Sequence, residues 1–314
     1  MISIRYLAIT LCLSCTAVAD EVSDTVSLNF DWNTGLQSRG EAYAERIKVK
    51  NGEQEVQMTM TADVQSRIES HSEGFLLVQN TNNVEFDADF GEMSDYMKPM
   101  MESVSSIEIQ TVISSDGELL SVEGMEPIIS GLNESMDLII KDAPDEIKPM
   151  LNNLKPQLVS EDKILSQVYE SWDSQFGQWV GAEFEKGYYY NVEYTEQIEE
   201  FGGVELGVNG SYEYLGKINC NEKDSEQSCV ELTFSSSLEP ESAKQLTSAI
   251  MEQMNIPVPE GFTMEVATNI LLITEPSTLK PHYYEKVRKI LSPNTNEAGT
   301  EELINRFVYN YYYE

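Results

Sequence analysis

The stretch RIKVKNGEQEVQMTMTADV, residues 46–64, decides the class of fold that the sequence predicts. Its Asn51-Gly52 pair stands between two runs of strand-forming residues, and such a pair is the strongest short-range signal of a β-hairpin. After the turn, apolar residues occupy every second position: Val56, Met58, Met60, Ala62 and Val64. A period of two puts these side chains on one face of a strand. The stretch therefore predicts an antiparallel hairpin with one buried face.

More strands are predicted on both sides of this hairpin. FLLVQNTNNVEFDADF (75–90) predicts a second hairpin, and IEIQTVISSDGELLSVEG (107–124) predicts a third, which turns at Asp116-Gly117. Alternating or aromatic-rich runs return near the C-terminus, at 187–201, 203–220, 229–238, 262–274, 278–291 and 304–313. Because turns or short polar segments separate most of these runs, we expect antiparallel neighbours.

Helices are predicted between the two groups of strands. Apolar residues recur at helical spacing from Pro127 to Ile140, and again from Ile147 to Leu158. A third helix starts at Ser160 and carries Ile164, Val168, Trp172 and Phe176, four residues apart. Shorter helices are predicted around Met93, Met97, Met100 and Met101, and from Pro240 to about Met254.

These elements predict an α+β fold: a large, curved, mainly antiparallel sheet, as a half-barrel or a meander, with a central helical insert packed on it. Residues 20–314 contain no polar linker that would divide them. We therefore expect a single domain. A break near Gly181 into two subdomains is the alternative.

The first nineteen residues are typical of a secretory signal peptide. Arg5 precedes a short apolar run, and Ala17-Val18-Ala19 fits the small-x-small pattern of signal peptidase cleavage. The run is too short to be a permanent membrane span. Cleavage after Ala19 predicts a periplasmic or secreted protein that is not integral to the membrane. Lipidation at Cys15 is the alternative.

After cleavage only Cys220 and Cys229 remain, at the two ends of the polar stretch CNEKDSEQSC. A closely spaced pair in an exported chain predicts a disulfide, which here would close a hairpin loop between two strands. The spacing differs from the Cys-x-x-Cys of redox-active pairs and from standard metal-ligand spacings. The sequence predicts no metal site.

The charge balance narrows the classes of partner. The chain carries 20 basic and 54 acidic side chains, a net charge of −34. Such acidity argues against nucleic acid and against docking onto an anionic membrane surface, since both need clustered Lys and Arg. The acidic residues are scattered along the sequence and form no pattern. We therefore attribute them to solubility or a salty habitat in preference to a cation-binding site.

Signatures of catalysis and of cofactor binding are missing from the sequence. The two histidines, His71 and His282, are isolated, and no nucleophile motif surrounds a serine or cysteine. We therefore predict a non-enzymatic protein without a cofactor. A hydrolase that uses paired carboxylates is the alternative, because carboxylates far apart in sequence can still meet in the fold.

The order of strands, helical insert and strands resembles the half-barrels of bacterial lipoprotein carriers, the LolA/LolB-like superfamily. The segment LLITEPSTLKPHYYEKV (271–287) resembles the strand-turn-strand step of such envelope proteins. The resemblance carries over no functional residue, and it implies an apolar pocket for lipid or a related structural module.

We therefore expect an exported, soluble protein that binds a hydrophobic ligand, such as a lipid or acyl chain, or an envelope partner. A structural or interaction module without a small ligand is the alternative. The candidate ligand-binding residues are apolar side chains on predicted inward faces: Met60, Met93, Met97, Met101, Trp172, Phe176, Ile270 and Leu272. Met side chains repack easily and would tolerate varied acyl chains.

Overall fold

The computed structural model describes residues 24–50, 52–88, 108–198, 204–221, 228–253, 258, 262–293 and 300–313. The strands before the helical insert are β1 (Thr25–Ser27), β2 (Gln37–Lys50), β3 (Glu53–His71), β4 (Gly74–Ala88), β5 (Glu108–Ser114) and β6 (Leu119–Glu123). Those after it are β7 (Glu183–Glu185), β8 (Tyr189–Ile198), β9 (Val204–Ile218), β10 (Cys229–Leu238), β11 (Glu265–Thr274), β12 (Pro281–Pro293) and β13 (Thr300–Tyr313).

Three helices form the insert: α1 (Met125–Asp142), α2 (Lys148–Leu158) and α3 (Glu161–Gln175). A 3-10 turn, Gly177–Trp179, follows α3, and α4 (Pro240–Gln253) lies between β10 and β11. Each of these helices falls where the apolar periodicity predicted it. Among the described residues, no helix is both long and apolar enough to cross a membrane.

Eleven strands form one antiparallel sheet in the order β6-β5-β4-β3-β2-β13-β12-β11-β10-β9-β8. Two meanders, one from each half of the chain, meet where β2 pairs with β13, for example Ala44 opposite Phe307. The predicted α+β class with a large antiparallel sheet is confirmed, and the sheet is open, with β6 and β8 at its ends. It contains strands from both sides of Gly181, and the single domain stays a prediction.

Helices α1, α3 and α4 pack against one face of this sheet, called here the covered face. Trp172 of α3 lies in a hydrophobic cluster with Ile68 of β3. The hydroxyl of Tyr284 on β12 donates to Ser174 Oγ of α3 over 2.9 Å, and Leu246 of α4 packs with Val266 of β11. On the opposite face, ion pairs join neighbouring strands, as between Arg306 and Glu45.

Two of the predicted turns are confirmed. Gly52 lies at the β2–β3 turn with φ of +82°, and Gly117 lies at the β5–β6 turn with φ of +87°. Glycine is favoured in this left-handed region because a side chain there would strain the backbone.

The hairpin predicted over residues 75–90 is wrong, because β4 is one continuous strand through this region. The pairing of β3 with β4 shifts register between Thr61 and Asp63, and Asn83 has φ of +50° at that point. Asn83 Nδ2 donates to Asp63 Oδ2 over 2.7 Å. Asparagine tolerates the left-handed conformation, so the turn-like sequence here forms a bulge and not a reversal.

The alternation predicted for β3 is broken at Val56. Met58 pairs with Arg46, whereas Val56 pairs with Ile47, so β3 contains one extra residue at this point. Because directly paired residues share a face, Val56 and Met58 point to opposite faces. Val56 is 57% exposed, so it does not join the predicted inward set.

Two predictions concern residues outside the described ranges. The signal peptide of residues 1–19 is one of them. The helix around Met93, Met97, Met100 and Met101 is the other.

Candidate functional site

A cleft of about 410 Å³, called here the α3 cleft, opens between α3 and the turn that joins β5 to β6. Nine residues line it: Asp116, Gly117, Glu118, Leu119, Tyr169, Trp172, Asp173, Gly177 and Val180. Its volume falls within the range of about 300–1,000 Å³ that is usual for small-molecule sites.

The helical repeat of α3 provides one wall of the cleft. Tyr169, Trp172 and Asp173 are three and four residues apart, so they lie side by side on one helix face. Trp172 Nε1 donates to the carbonyl oxygen of Gly117 over 3.2 Å. The hydroxyl of Tyr169 donates to the carbonyl oxygen of Leu120 over 3.4 Å. These two bonds join the helix to the β5–β6 hairpin, so the wall is preformed.

Close packing behind the cleft fixes the turn. A Cβ atom on Gly117 would come within 2.7 Å of Phe30 Cγ, so the turn has no room for a side chain here. Phe30 also contacts the ring of Trp172 edge-on, with centroids 6.2 Å apart, and Trp172 stacks on Phe176 at 4.5 Å. The aromatic floor is therefore rigid, because each ring touches several others.

The rim of the cleft is acidic. Asp116, Glu118 and Asp173 contribute carboxylates, and none of the nine lining residues is basic. Desolvation by the surrounding protein raises the pKa of Asp173 above its ordinary value, and the charge of Lys286 partly offsets this rise. Lys286 is itself held by Glu170, with Nζ 2.5 Å from the carboxylate. The cleft thus presents negative charge next to an apolar wall.

A second cavity is much smaller. It has room of about 20 Å³ among residues that include Trp32, Ser38, Ser66, Phe176 and Tyr311. That space is sufficient for a single water molecule, and too small for an organic ligand.

The predicted ligand-binding residues are distributed over different parts of the fold. Trp172 lines the α3 cleft, and Phe176 lines the small cavity. Ile270 and Leu272 are almost fully buried in the core under the second half of the sheet, strands β8–β13. Met60 is half-buried on β3 opposite Ala44, and it lines neither cavity, nor do Ile270 and Leu272.

Met93, Met97 and Met101 lie outside the described residues, so their place in a site stays a prediction. Apolar periodicity gives no signal for the three rim carboxylates. The Asp116-Gly117 turn was readable from the sequence, but its contact with α3 was not.

The predicted disulfide is confirmed. Cys220 and Cys229 are bonded, with Cα atoms 4.9 Å apart, and β9 pairs with β10 directly beside them. In the chain-entropy model, closing a loop of this length stabilises the fold by about 2.5–3 kcal/mol.

Comparisons with known proteins find a likeness among solved structures and none among families or curated proteins. No protein-family model and no curated protein matches the chain. A solved structure titled as lipid–protein interactions in lipovitellin is similar, with a TM-score of 0.43 and 10% identity. The similarity covers 90% of this chain and 25% of that one. At this TM-score nothing about the ligand of this chain follows. The matches do not support the LolA/LolB-like superfamily specifically.

Proposed function

We propose that this protein binds a hydrophobic ligand with a positively charged head group in the α3 cleft. The observation that carries the proposal is the cleft itself, about 410 Å³ with an aromatic and aliphatic wall and three carboxylates. Binding sites for small molecules commonly combine an apolar wall with a few polar groups that fix orientation.

The apolar part of the ligand would lie along Trp172, Leu119 and Val180, which line the cleft together. Tyr169 is 42% exposed, so the face of its ring is available to a cation. A cation over an aromatic ring gains about 0.5–1 kcal/mol at an exposed site. This arrangement supports an alkyl or acyl chain as the body of the ligand.

The carboxylates on the rim of the α3 cleft favour a positively charged head group. Asp116, Glu118 and Asp173 attract an ammonium group and repel a carboxylate or sulfate. The net charge of −34 adds a long-range potential of the same sign. The ligand class is therefore a long-chain amine or a lipid with an exposed ammonium group, and a free fatty acid is disfavoured.

The proposed setting is the periplasm or the extracellular space. The Cys220–Cys229 disulfide supports it, since such bonds persist in oxidising compartments. The predicted signal peptide supports it as well.

Titration calorimetry with dodecylammonium, below the concentration at which it forms micelles, tests the proposal. We expect saturable binding at one site, and much weaker binding of dodecyl sulfate. Glu118→Lys removes one negative charge from the rim and adds a positive one, and each of these changes is worth up to about 1 kcal/mol at an exposed site. Because about 1.4 kcal/mol corresponds to a tenfold change, the affinity for dodecylammonium should fall about five- to thirtyfold.

Glu205→Lys is the matched control, because it makes the same change in net charge at an exposed position on β9. Its affinity for dodecylammonium should stay within about twofold of wild type, a smaller change than the one expected for Glu118→Lys. Equal weakening in both variants would mean that only the net charge matters, and the proposed site would be wrong.

A further inference from the structure

The disulfide has a histidine beside it. The two Sγ atoms of Cys220 and Cys229 and one ring nitrogen of His282 all lie within 4.8 Å of one another. Cys220 follows the end of β9, Cys229 begins β10, and His282 lies near the start of β12, so three strands bring the three residues together. Two sulfurs and one imidazole nitrogen form a ligand set that zinc uses in proteins.

The histidine is held by a carboxylate. His282 Nε2 lies 3.3 Å from Glu275 Oε1, and Thr278 Oγ1 donates to Glu275 Oε2 over 2.9 Å. Metal-binding histidines commonly have the second ring nitrogen bound to a carboxylate in this way, which fixes the ring orientation. The side chain of His282 is only 12% exposed, so few alternative positions are open to it.

We propose that reduction of the Cys220–Cys229 disulfide creates a Zn²⁺ site made of both cysteine thiolates and the His282 imidazole. A dithiol reductant supplies the two electrons by thiol–disulfide exchange. The protein S–S bond breaks, a disulfide forms in the reductant, and its two thiol protons pass to the cysteines. Binding of Zn²⁺ then releases both protons to solvent, because the thiolate is the ligand.

Small movements are sufficient to assemble the site. Zn–S bonds of about 2.3 Å and a Zn–N bond of about 2.0 Å at tetrahedral angles put the ligand atoms about 3.5–3.8 Å apart. The ligand atoms already lie within 4.8 Å of one another, and the two sulfurs separate once their bond is broken. Cys220 is only half-buried, so its side chain can rotate while Cys229 stays in the core. A fourth position stays open to water.

Cobalt titration tests the proposal, because thiolate-bound tetrahedral Co²⁺ has characteristic visible and near-ultraviolet absorption. The full chain is reduced with an immobilised dithiol, separated from it without oxygen and titrated with Co²⁺ and then Zn²⁺. We expect one Co²⁺ per reduced chain, displacement by Zn²⁺, and no such absorption for the oxidised protein. Circular dichroism checks that the reduced chain stays folded.

Two variants distinguish the metal-binding histidine, His282, from the carboxylate that positions it, Glu275. His282→Ala should weaken Co²⁺ binding at least tenfold and change the spectrum, since a nitrogen ligand is lost. Glu275→Gln should weaken binding about tenfold with the spectrum unchanged, as expected for a group that only positions the ring. His71→Ala is the matched control and should match the wild type.

Three results would overturn the proposal. They are no cobalt absorption in the folded reduced chain, absorption only after the chain unfolds, and equal affinity in His282→Ala and the wild type. None of them bears on the α3 cleft, which contains no residue of this site.

Discussion

Raising the pH towards 12 is expected to unfold the protein, because many tyrosines are buried in its core. Burial raises the pKa of Tyr212 and Tyr214 from 10.0 to about 12. Burial raises the pKa of Tyr284 and Tyr311 further above the ordinary value. Above pH 10 these groups ionise in the unfolded chain and stay protonated in the folded one. Stability is therefore intact below pH 10 and falls as the pH rises beyond it.

The expected size of this effect is large. Each tyrosine that keeps its proton in the folded state up to pH 12 lowers the free energy of unfolding there by roughly 3 kcal/mol. Tyr284 and Tyr311 are at most 8% exposed, so both stay protonated in the folded state well above pH 10. Together they lose on the order of 5 kcal/mol, a large part of the stability of an ordinary domain.

Urea denaturation at several pH values between neutral and strongly alkaline measures this loss, and tyrosinate absorbance reports ionisation in parallel. Tyr284→Phe should be about 1 kcal/mol less stable at neutral pH, since its hydrogen bond to Ser174 is lost. It should also lose less stability on going to alkaline pH. Tyr188→Phe, at a ring that is 58% exposed, is the control. Ionisation of every tyrosine near pH 10 in a chain that stays folded would contradict this prediction.

Trp179→Ala is expected to destabilise the protein by about 3–5 kcal/mol, the usual cost of removing a buried Trp. Trp179 is fully buried, at 0% exposure, and contacts the rings of Phe184 and Tyr212 edge-on. Its Nε1 donates to the carbonyl oxygen of Ser174 over 3.2 Å. The side chain thereby joins the end of α3 to the second half of the sheet, so its loss leaves a cavity between them.

Urea unfolding of Trp179→Ala, Trp179→Phe and Tyr188→Ala measures this contribution. Trp179→Phe keeps most of the buried surface and should lose less than half as much stability as Trp179→Ala. Tyr188→Ala removes an exposed ring and should change stability by less than about 1 kcal/mol. A loss below about 1.5 kcal/mol for Trp179→Ala would show that the end of α3 is not fixed by this side chain.

Local patterns predicted much of the fold, because turns and periodicity depend on neighbouring residues. The turns at Gly52 and Gly117 and the helices of the insert were all readable. The bulge in β4 was not readable, because an Asn-Asn pair such as Asn82-Asn83 is compatible with both a bulge and a turn. Only the pairing of β3 with its neighbours distinguishes the two.

Long-range contacts account for what the sequence did not predict. The pairing of β2 with β13 joins the two ends of the chain, and no local signal specifies it. The α3 cleft likewise depends on the bond from Trp172 to Gly117, between an insert helix and an earlier hairpin. Trp172 was predicted as a candidate from its apolar spacing, but Glu118 and Asp173 have the pattern of ordinary solvated acids. His282 near Cys229 is a third example of such a contact.

Photolabelling with a long-chain alkylammonium that carries a diazirine is the most direct test of the proposed site. The labelled protein is digested, and mass spectrometry locates the modified residues. We expect saturable labelling of the β5–β6 turn and of α3 around Tyr169 and Trp172, reduced by unlabelled dodecylammonium and by Glu118→Lys. Labelling centred on the sheet around Met60 and Ile270, or labelling that does not saturate, would contradict the α3 cleft as the binding site.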